Sequence, residues 1–203
     1  MRPGVVFLDK DGTLLKDVPY NVDSRRMAWE AGAAQGVRRL VEAGYRLVVV
    51  TNQAGVARGY FPEEALQGVA EHLNRMVEQV SGARLDGFYY CPHHPQGSEV
   101  AYAVDCQCRK PRPGMLLRAA RELGIDLSTA WMVGDILNDV EAGKRAGCRA
   151  ILIDNGGETE WKTGPHREPD IIAASLEEAA DWIVGEGRAF QKGRTEAKQK
   201  HEQ

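Results

Sequence analysis

Two aspartates one residue apart, in Asp9-Lys10-Asp11-Gly12-Thr13, follow directly on the apolar run Val5-Val6-Phe7-Leu8. Three further polar groups sit in comparable places: Thr51-Asn52-Gln53 after Leu47 to Val50, Gly134-Asp135 after Trp131-Met132-Val133, and Arg109-Lys110-Pro111 just ahead of a helix-period segment. Carboxylates that converge from separate elements repel one another unless a hard cation holds them, and oxygen ligands completed by water suit magnesium. The donors and positive charge of Thr51, Asn52, Arg109 and Lys110 then suit an anion bound against that metal, for which phosphate is the natural guest. Each element has a bland alternative. A bare DxD is usually surface decoration, Thr51-Asn52-Gln53 alone reads as a helix cap, and Lys110 alone as a solvated charge. The functional reading rests on the coincidence of all four beside strand-like runs.

The cysteines carry a second chemistry. Three of the four lie in Cys91-Pro92-His93 and Cys106-Gln107-Cys108, with twelve residues between His93 and Cys106. These two segments supply the four ligands of a Cys₃His zinc set; the competing reading, unconnected cysteines in a reducing compartment, explains three clustered in a Pro- and Gly-containing loop poorly. Four protein ligands leave no open position, so the zinc would be structural. It would tie a loop over 91–110 that shows neither helix nor strand pattern, and it would position Arg109 and Lys110 directly after it. Cys148 reads as a buried small residue, and His94 as a neighbour of the ligands or a surface residue.

The elements that must position these groups alternate along the chain. Strand-like runs at Val5 to Leu8, Tyr45 to Val50, Gly87 to Tyr90, Ala130 to Val133 and Ala150 to Ile153 are mostly apolar throughout rather than alternating, as in strands buried on both faces. Helix-period segments separate them: Gln35 to Ala43 with Gly44 as its stop, a helix opened by Pro62, then Pro113 to Leu123, Leu137 to Ala146 and Leu176 to Val184. The pattern predicts an α/β fold, a Rossmann-like parallel sheet flanked by helices, with ligands beyond the carboxyl ends of the strands. One domain over 1–186 and a polar tail over 187–203 account for the 203 residues, and no repeat is visible.

Composition excludes several classes. With 26 Lys+Arg against 29 Asp+Glu the net charge is −3, so no global positive field recruits nucleic acid or acidic membranes. The longest apolar runs fall far short of a membrane span and the N-terminus shows no secretory signal, which makes the cytoplasm the expected compartment. A monomer is the default expectation.

The four motifs resemble those of the haloacid dehalogenase superfamily of phosphotransferases, matched by Asp9-Lys10-Asp11-Gly12-Thr13, Thr51, Lys110 and Gly134-Asp135 with Asp139. The resemblance implies Asp9 as a nucleophile that becomes a phosphoaspartate and Asp11 as the acid that protonates the leaving alcohol and then activates water. It also implies magnesium on Asp9, Asp135 and the backbone carbonyl of Asp11, with Thr51 and Lys110 steadying the phosphoryl group and Asp139 orienting its neighbours. Tyr89-Tyr90-Cys91-Pro92-His93-His94-Pro95-Gln96-Gly97, Cys108-Arg109-Lys110-Pro111 and Thr51-Asn52-Gln53-Ala54-Gly55-Val56-Ala57-Arg58-Gly59 are further similar to the heptose bisphosphate phosphatases of that superfamily. That branch implies a small phosphosugar substrate of nucleotide-heptose biosynthesis, contacted by Asp17 to Tyr20, Asn52, Gln53, Ala54, Arg109 and Lys110, with the 7-phosphate leaving. The sequence departs from the branch at Ala54, where Ser is common, and at Ile136, where Lys often follows the metal-binding Asp. No large cap domain separates the motifs, so the zinc loop and the segment Asp17 to Tyr20 must form the rim.

Three rivals remain. Histidinol-phosphate phosphatases share the zinc loop, and catalytic motifs cannot separate the two. A phosphate-accepting signalling receiver also gathers acids, Thr and Lys at strand ends, but the DxDGT placement after the first strand opposes it. A zinc-stapled binding module without catalysis is opposed by the joint presence of Asp9, Asp11, Lys110 and Asp135.

Overall fold

The structure, a computed structural model, describes residues 4–187. The tail expected over 187–203 lies, from 188 onward, outside the described residues. Five of the six strands are the apolar runs: β1 (Val5–Leu8), β2 (Arg46–Asn52), β3 (Gly87–Cys91), β4 (Trp131–Gly134) and β5 (Arg149–Ile153), joined at the edge by β6 (Ile171–Ala173). They form one sheet in the order β3-β2-β1-β4-β5-β6, every neighbouring pair parallel. This is the Rossmann-like architecture that apolar strands alternating with helices require.

Each apolar strand feeds both faces. Val6 and Leu8 of β1 pack into a layer with Val37 and Leu40 of α1 (Ala33–Glu42), Leu73 and Val77 of α2 (Ala65–Ser81), and Ile183 of the helical stretch 176–187, here α5. Val5 and Phe7 point the other way, onto Met115, Leu116 and Ala119 of α3 (Gly114–Leu123) and Ala142 of α4 (Leu137–Ala146). The central strand is thereby sealed from water, and only its carboxyl end opens to solvent.

Register brings the motifs together at that end. Leu8 pairs with Val49 on one side and Val133 on the other, and Asp9 N–H continues the ladder by donating to the Val133 carbonyl at 3.0 Å. Asp9 therefore emerges between Val50-Thr51 and Gly134-Asp135, while Asn52 pairs with Cys91 at the head of the zinc-type loop. The long connections 9–32, 92–113 and 154–170 all gather at this edge, and none contains an inserted domain.

The main differences from expectation are two element boundaries and one strand. β2 runs through Thr51 to Asn52 because pairing with β3 continues to Cys91. α2 starts at Ala65, since the Pro62-Glu63-Glu64 segment closes as a tight turn with bonds from Ala65, Leu66 and Gln67 N–H to carbonyls three residues back. β6 was invisible because three residues with Ile172 half exposed carry no run of buried side chains.

Candidate active site

The reacting end is built on a buried ammonium. Lys110 Nζ lies 2.6 Å from Asp9 Oδ1 and 2.7 Å from Asp139 Oδ1, and donates to the Val50 carbonyl at 2.9 Å. Burial opposes its charge, but the Asp139 and Asp9 carboxylates outweigh burial and hold its pKa above the ordinary lysine range. Asp139 enters from the first turn of α4, where its Oδ2 also accepts from the Ile136 N–H at 3.3 Å, so it caps the helix that carries it. Its Oδ1 meets Lys110 as an ion pair without an aligned hydrogen bond.

Asp135, at the end of β4, completes the group. Carboxylate oxygens of Asp9, Asp135 and Asp139 lie within 4.8 Å of one another, all three residues buried. Burial first, then the Asp9 and Asp139 charges, push Asp135 up to about 8, and burial raises Asp139 to about 6. Three carboxylates against the single Lys110 ammonium leave two negative charges uncompensated, which is the complement of one divalent cation. Gly12 has to be glycine here: its φ is +79° and a Cβ would stand 2.2 Å from Asp135 Oδ2. Thr13 Oγ1 holds the other Asp135 oxygen at 3.3 Å.

Asp11 points out of this cluster toward β2. Its Oδ2 accepts from Gln53 Nε2 at 3.1 Å, the same Gln53 nitrogen reaches Thr51 Oγ1 at 2.9 Å, and Lys10 pairs with Oδ1. Burial raises the Asp11 pKa, only partly countered by Lys10, a setting that favours a carboxyl able to donate a proton. Asn52 is a clamp as well as a wall: it exchanges two hydrogen bonds with the Lys110 backbone.

The second cluster is the thiol and imidazole group of the loop. Cys108 Sγ lies 3.1 Å from Cys91 Sγ and from Cys106 Sγ, Cys91 and Cys106 are 3.4 Å apart, and His93 Nδ1 is 3.3 Å from Cys108 Sγ. A tetrahedron of ligands about 2.3 Å from zinc has edges of roughly 3.5–4 Å, so this slightly contracted set fits that ion. The cysteines are free thiols and form no disulfide. Cys108 is drawn down to about 5, chiefly by its hydrogen bond with Cys91.

The carboxylate cluster opens onto a cavity of about 720 Å³ at the carboxyl end of the sheet, to which the thiol loop contributes His94 and Arg109. Asp9, Asp11, Thr51, Lys110 and Asp135 form its floor, and Asp17, Tyr20, Asn52, Gln53, Ala54 and Arg109 line its walls. Ile136, the departure after Asp135, also faces it. Sequence reasoning assigned no site role to Arg58, Asn138 and Asn155, which share the lining, or to Gly157; His94 was read only as peripheral. The Gly-rich composition of 155–157 was the available signal for one wall. There Asn155 Nδ2 donates to the Gly12 carbonyl at 2.8 Å, and Gly157 lies so near Asp135 that a Cβ would stand 2.1 Å from Oδ2.

Residues 107–179 match the family model described as HAD-hydrolase-like. Over 180 residues the chain is 44% identical to the D-glycero-beta-D-manno-heptose-1,7-bisphosphate 7-phosphatase of Pasteurella multocida, covering 89% of this chain and 96% of the relative. It is 45% identical over 179 residues to the enzyme of the same name from Photorhabdus laumondii, covering 88% of each. The crystal structure of the D,D-heptose 1,7-bisphosphate phosphatase of B. bronchiseptica with magnesium and phosphate superposes with a TM-score of 0.72 at 30% identity, covering 90% of this chain and 99% of that one. With buried carboxylates on one ammonium at the strand ends and this degree of likeness along nearly its whole described length, the chain belongs to the heptose-1,7-bisphosphate 7-phosphatase family of haloacid dehalogenase-type phosphoric monoester hydrolases.

Proposed function

We propose that residues 1–186 form a magnesium-dependent phosphatase that removes the 7-phosphate of D-glycero-D-manno-heptose 1,7-bisphosphate and releases heptose 1-phosphate. The observation that carries this reading is the excess of buried carboxylate over ammonium at Asp9, Asp135, Asp139 and Lys110, opening onto a cavity of sugar-phosphate size. Asp9 and Asp135, with the Asp11 carbonyl, would hold magnesium. When bound, the ion supplies Lewis-acid charge to the phosphoryl group.

Asp9 is the nucleophile: its carboxylate oxygen bonds to phosphorus as the bond from phosphorus to the C7 oxygen breaks. Asp11 delivers its proton to that departing oxygen, a task its raised pKa suits, and Gln53 keeps the carboxyl aimed. In the second half Asp11 takes a proton from water as the water attacks phosphorus, and Asp9 is regenerated with inorganic phosphate. Thr51 and Lys110 steady the equatorial oxygens. Asp17, Tyr20, Asn52, Gln53, Ala54 and Arg109 seat the sugar, with the zinc held by Cys91, His93, Cys106 and Cys108 fixing the segment from which Arg109 and Lys110 emerge. The enzyme works in the cytoplasm on a small phosphosugar; among the described residues no helix is long and apolar enough to cross a membrane.

Phosphorus NMR of the reaction with magnesium tests the assignment. Loss of the primary 7-phosphate signal with retention of the anomeric one is expected. Release of the anomeric phosphate, or a higher kcat/KM for histidinol phosphate than for either heptose bisphosphate anomer, would overturn it.

A further inference from the structure

The outer wall of the cavity carries two donors that face each other with no acceptor between them. Arg58 Nη2 and His94 Nε2 are 3.5 Å apart, and both residues line the cavity. The Gln96 N–H donates to His94 Nδ1 at 3.1 Å, so that nitrogen is bare and the ring proton sits on Nε2. An N–H of the guanidinium and an N–H of the imidazole therefore point at shared space, an arrangement that only an electron-rich oxygen satisfies.

Arg58 is also short of partners. Its Nε is shut off from solvent without a hydrogen bond, and among the described residues neither Arg58 nor Arg109 has a carboxylate within ion-pair distance, whereas ten other arginines do. An unpaired buried donor is costly, more so when charged, and persists where a ligand supplies the missing acceptor. The two loops that carry the pair are tied together: Ala57 N–H donates to the Pro92 carbonyl at 3.2 Å and Glu99 N–H to the Ala57 carbonyl at 2.9 Å. The Arg58 guanidinium carbon also stands 6.0 Å from the centre of the Tyr20 ring, which braces its plane.

We infer that Arg58 and His94 form an anion subsite for the second, non-reacting phosphate of the substrate, with Arg58 as the residue that selects a bisphosphate over a monophosphate. The inference deepens the heptose bisphosphate reading and rests on it for the sugar, while the anion chemistry stands on the wall geometry alone. Lys110 is committed to Asp9 and Asp139, so the reacting end contributes no free cation to a remote phosphate. Arg58 and Arg109, which line the same cavity without a carboxylate partner among the described residues, do.

The test compares wild type and Arg58→Gln, with magnesium, on heptose 1,7-bisphosphate and on heptose 7-phosphate. The expected result is a fall of about 10- to 100-fold in the ratio of the two kcat/KM values, carried by KM, as loss of charge-assisted hydrogen bonds to a bound anion predicts. Equal losses on both substrates, or an unchanged ratio, overturn the subsite. Should Arg58→Gln fail to fold, Arg58→Lys, which keeps charge but loses the guanidinium fork, is expected to lower the same ratio several-fold, and an unchanged ratio again overturns the inference. If wild type hydrolyses neither heptose phosphate, the proposed substrate fails, and calorimetric titration with inorganic phosphate decides the subsite separately. One more phosphate bound per wild-type chain than per variant chain sustains it; equal stoichiometry overturns it.

Discussion

Asn52 and Lys110 hold each other in both directions: Asn52 Nδ2 donates to the Lys110 carbonyl at 3.1 Å, and the Lys110 N–H donates to Asn52 Oδ1 at 3.0 Å. The clamp joins the end of β2 to the segment leaving the thiol loop, and it fixes the point from which the Lys110 side chain runs back to Val50, Asp9 and Asp139. Asn52→Ala is expected to lower kcat by about 10- to 100-fold and stability by about 1–3 kcal/mol, because two partly buried backbone groups lose their partners. Phosphate-release kinetics beside thermal melts check both numbers. Wild-type kcat in this variant would mean that Lys110 is held without the clamp.

Lys110 itself gives a sharper expectation. Lys110→Met leaves Asp9 and Asp139 buried without a counter-charge and should destabilise the metal-free chain by about 3–5 kcal/mol, whereas Asp9→Asn keeps the fold and loses hydrolysis. Adding Asp139→Asn to Lys110→Met should restore part of the stability but none of the activity. Denaturant melts of the three proteins decide, and a double variant no more stable than Lys110→Met contradicts the charge account.

The same carboxylates set a pH dependence. Asp135, which faces Asp9, Asp139 and Thr13, titrates at about 8 in the folded chain against an ordinary 3.8, and Asp139 at about 6. Between those values the folded chain carries more protons than the unfolded one, so stability of the metal-free chain falls as pH rises from about 4 to about 8. Magnesium needs the ionised carboxylates, so its stabilisation should be greatest at the upper end of that window. Thermal melts with chelator and with magnesium across pH 5 to 8.5 test this; a chelated chain whose Tm climbs with pH would falsify it.

The loop cluster predicts one zinc per chain and a Cys108→Ser variant that loses metal and activity together, since Arg109 and Lys110 come immediately after it. Elemental analysis of the purified protein, paired with activity of the variant, is sufficient. Full activity in a zinc-free preparation would leave the 91–110 loop held by packing alone.

Much of this arrangement was legible because it is local in sequence. Val5 to Leu8 and Trp131 to Val133 announce buried parallel strands, and a parallel sheet delivers the residues after each strand to one edge, so Asp9 and Asp135 could be paired from the chain alone. Cys91, His93, Cys106 and Cys108 were readable from spacing because a metal needs those atoms in one place. Arg58, His94 and Asn155 were not, since their roles arise from loops meeting across the cavity: nothing in Ala57-Arg58-Gly59 says that Pro92 and Glu99 will bind its backbone. β6 was missed for a related reason. It exists because β5 offers a free edge, not because Ile171-Ile172-Ala173 is a strong strand.

That post-β5 segment supplies the last prediction. Asn155 anchors on the Gly12 carbonyl, Glu158 accepts from the Leu137 N–H at 2.7 Å, and Arg167 is pinned by Glu141 at 2.7 Å and by Asn138 at 3.0 Å. Held at three points, the strap cannot retreat from Asp135, so the Cβ of Gly157→Ala must displace the carboxylate it would otherwise meet at 2.1 Å. Asp135 is one of the two carboxylates proposed to hold magnesium, and Asp9, the other and the proposed nucleophile, is not met by the new Cβ. The expected outcome is a rise of at least about tenfold in the magnesium concentration for half-maximal activity, with kcat at saturating magnesium reduced far less, the pattern of a ligand moved rather than removed. Asn155→Ala, which releases the strap, should relieve the defect when combined with Gly157→Ala. Magnesium activation curves for the two single variants and the double variant read this directly, and a Gly157→Ala enzyme with an unchanged magnesium requirement would show that the strap yields instead of Asp135.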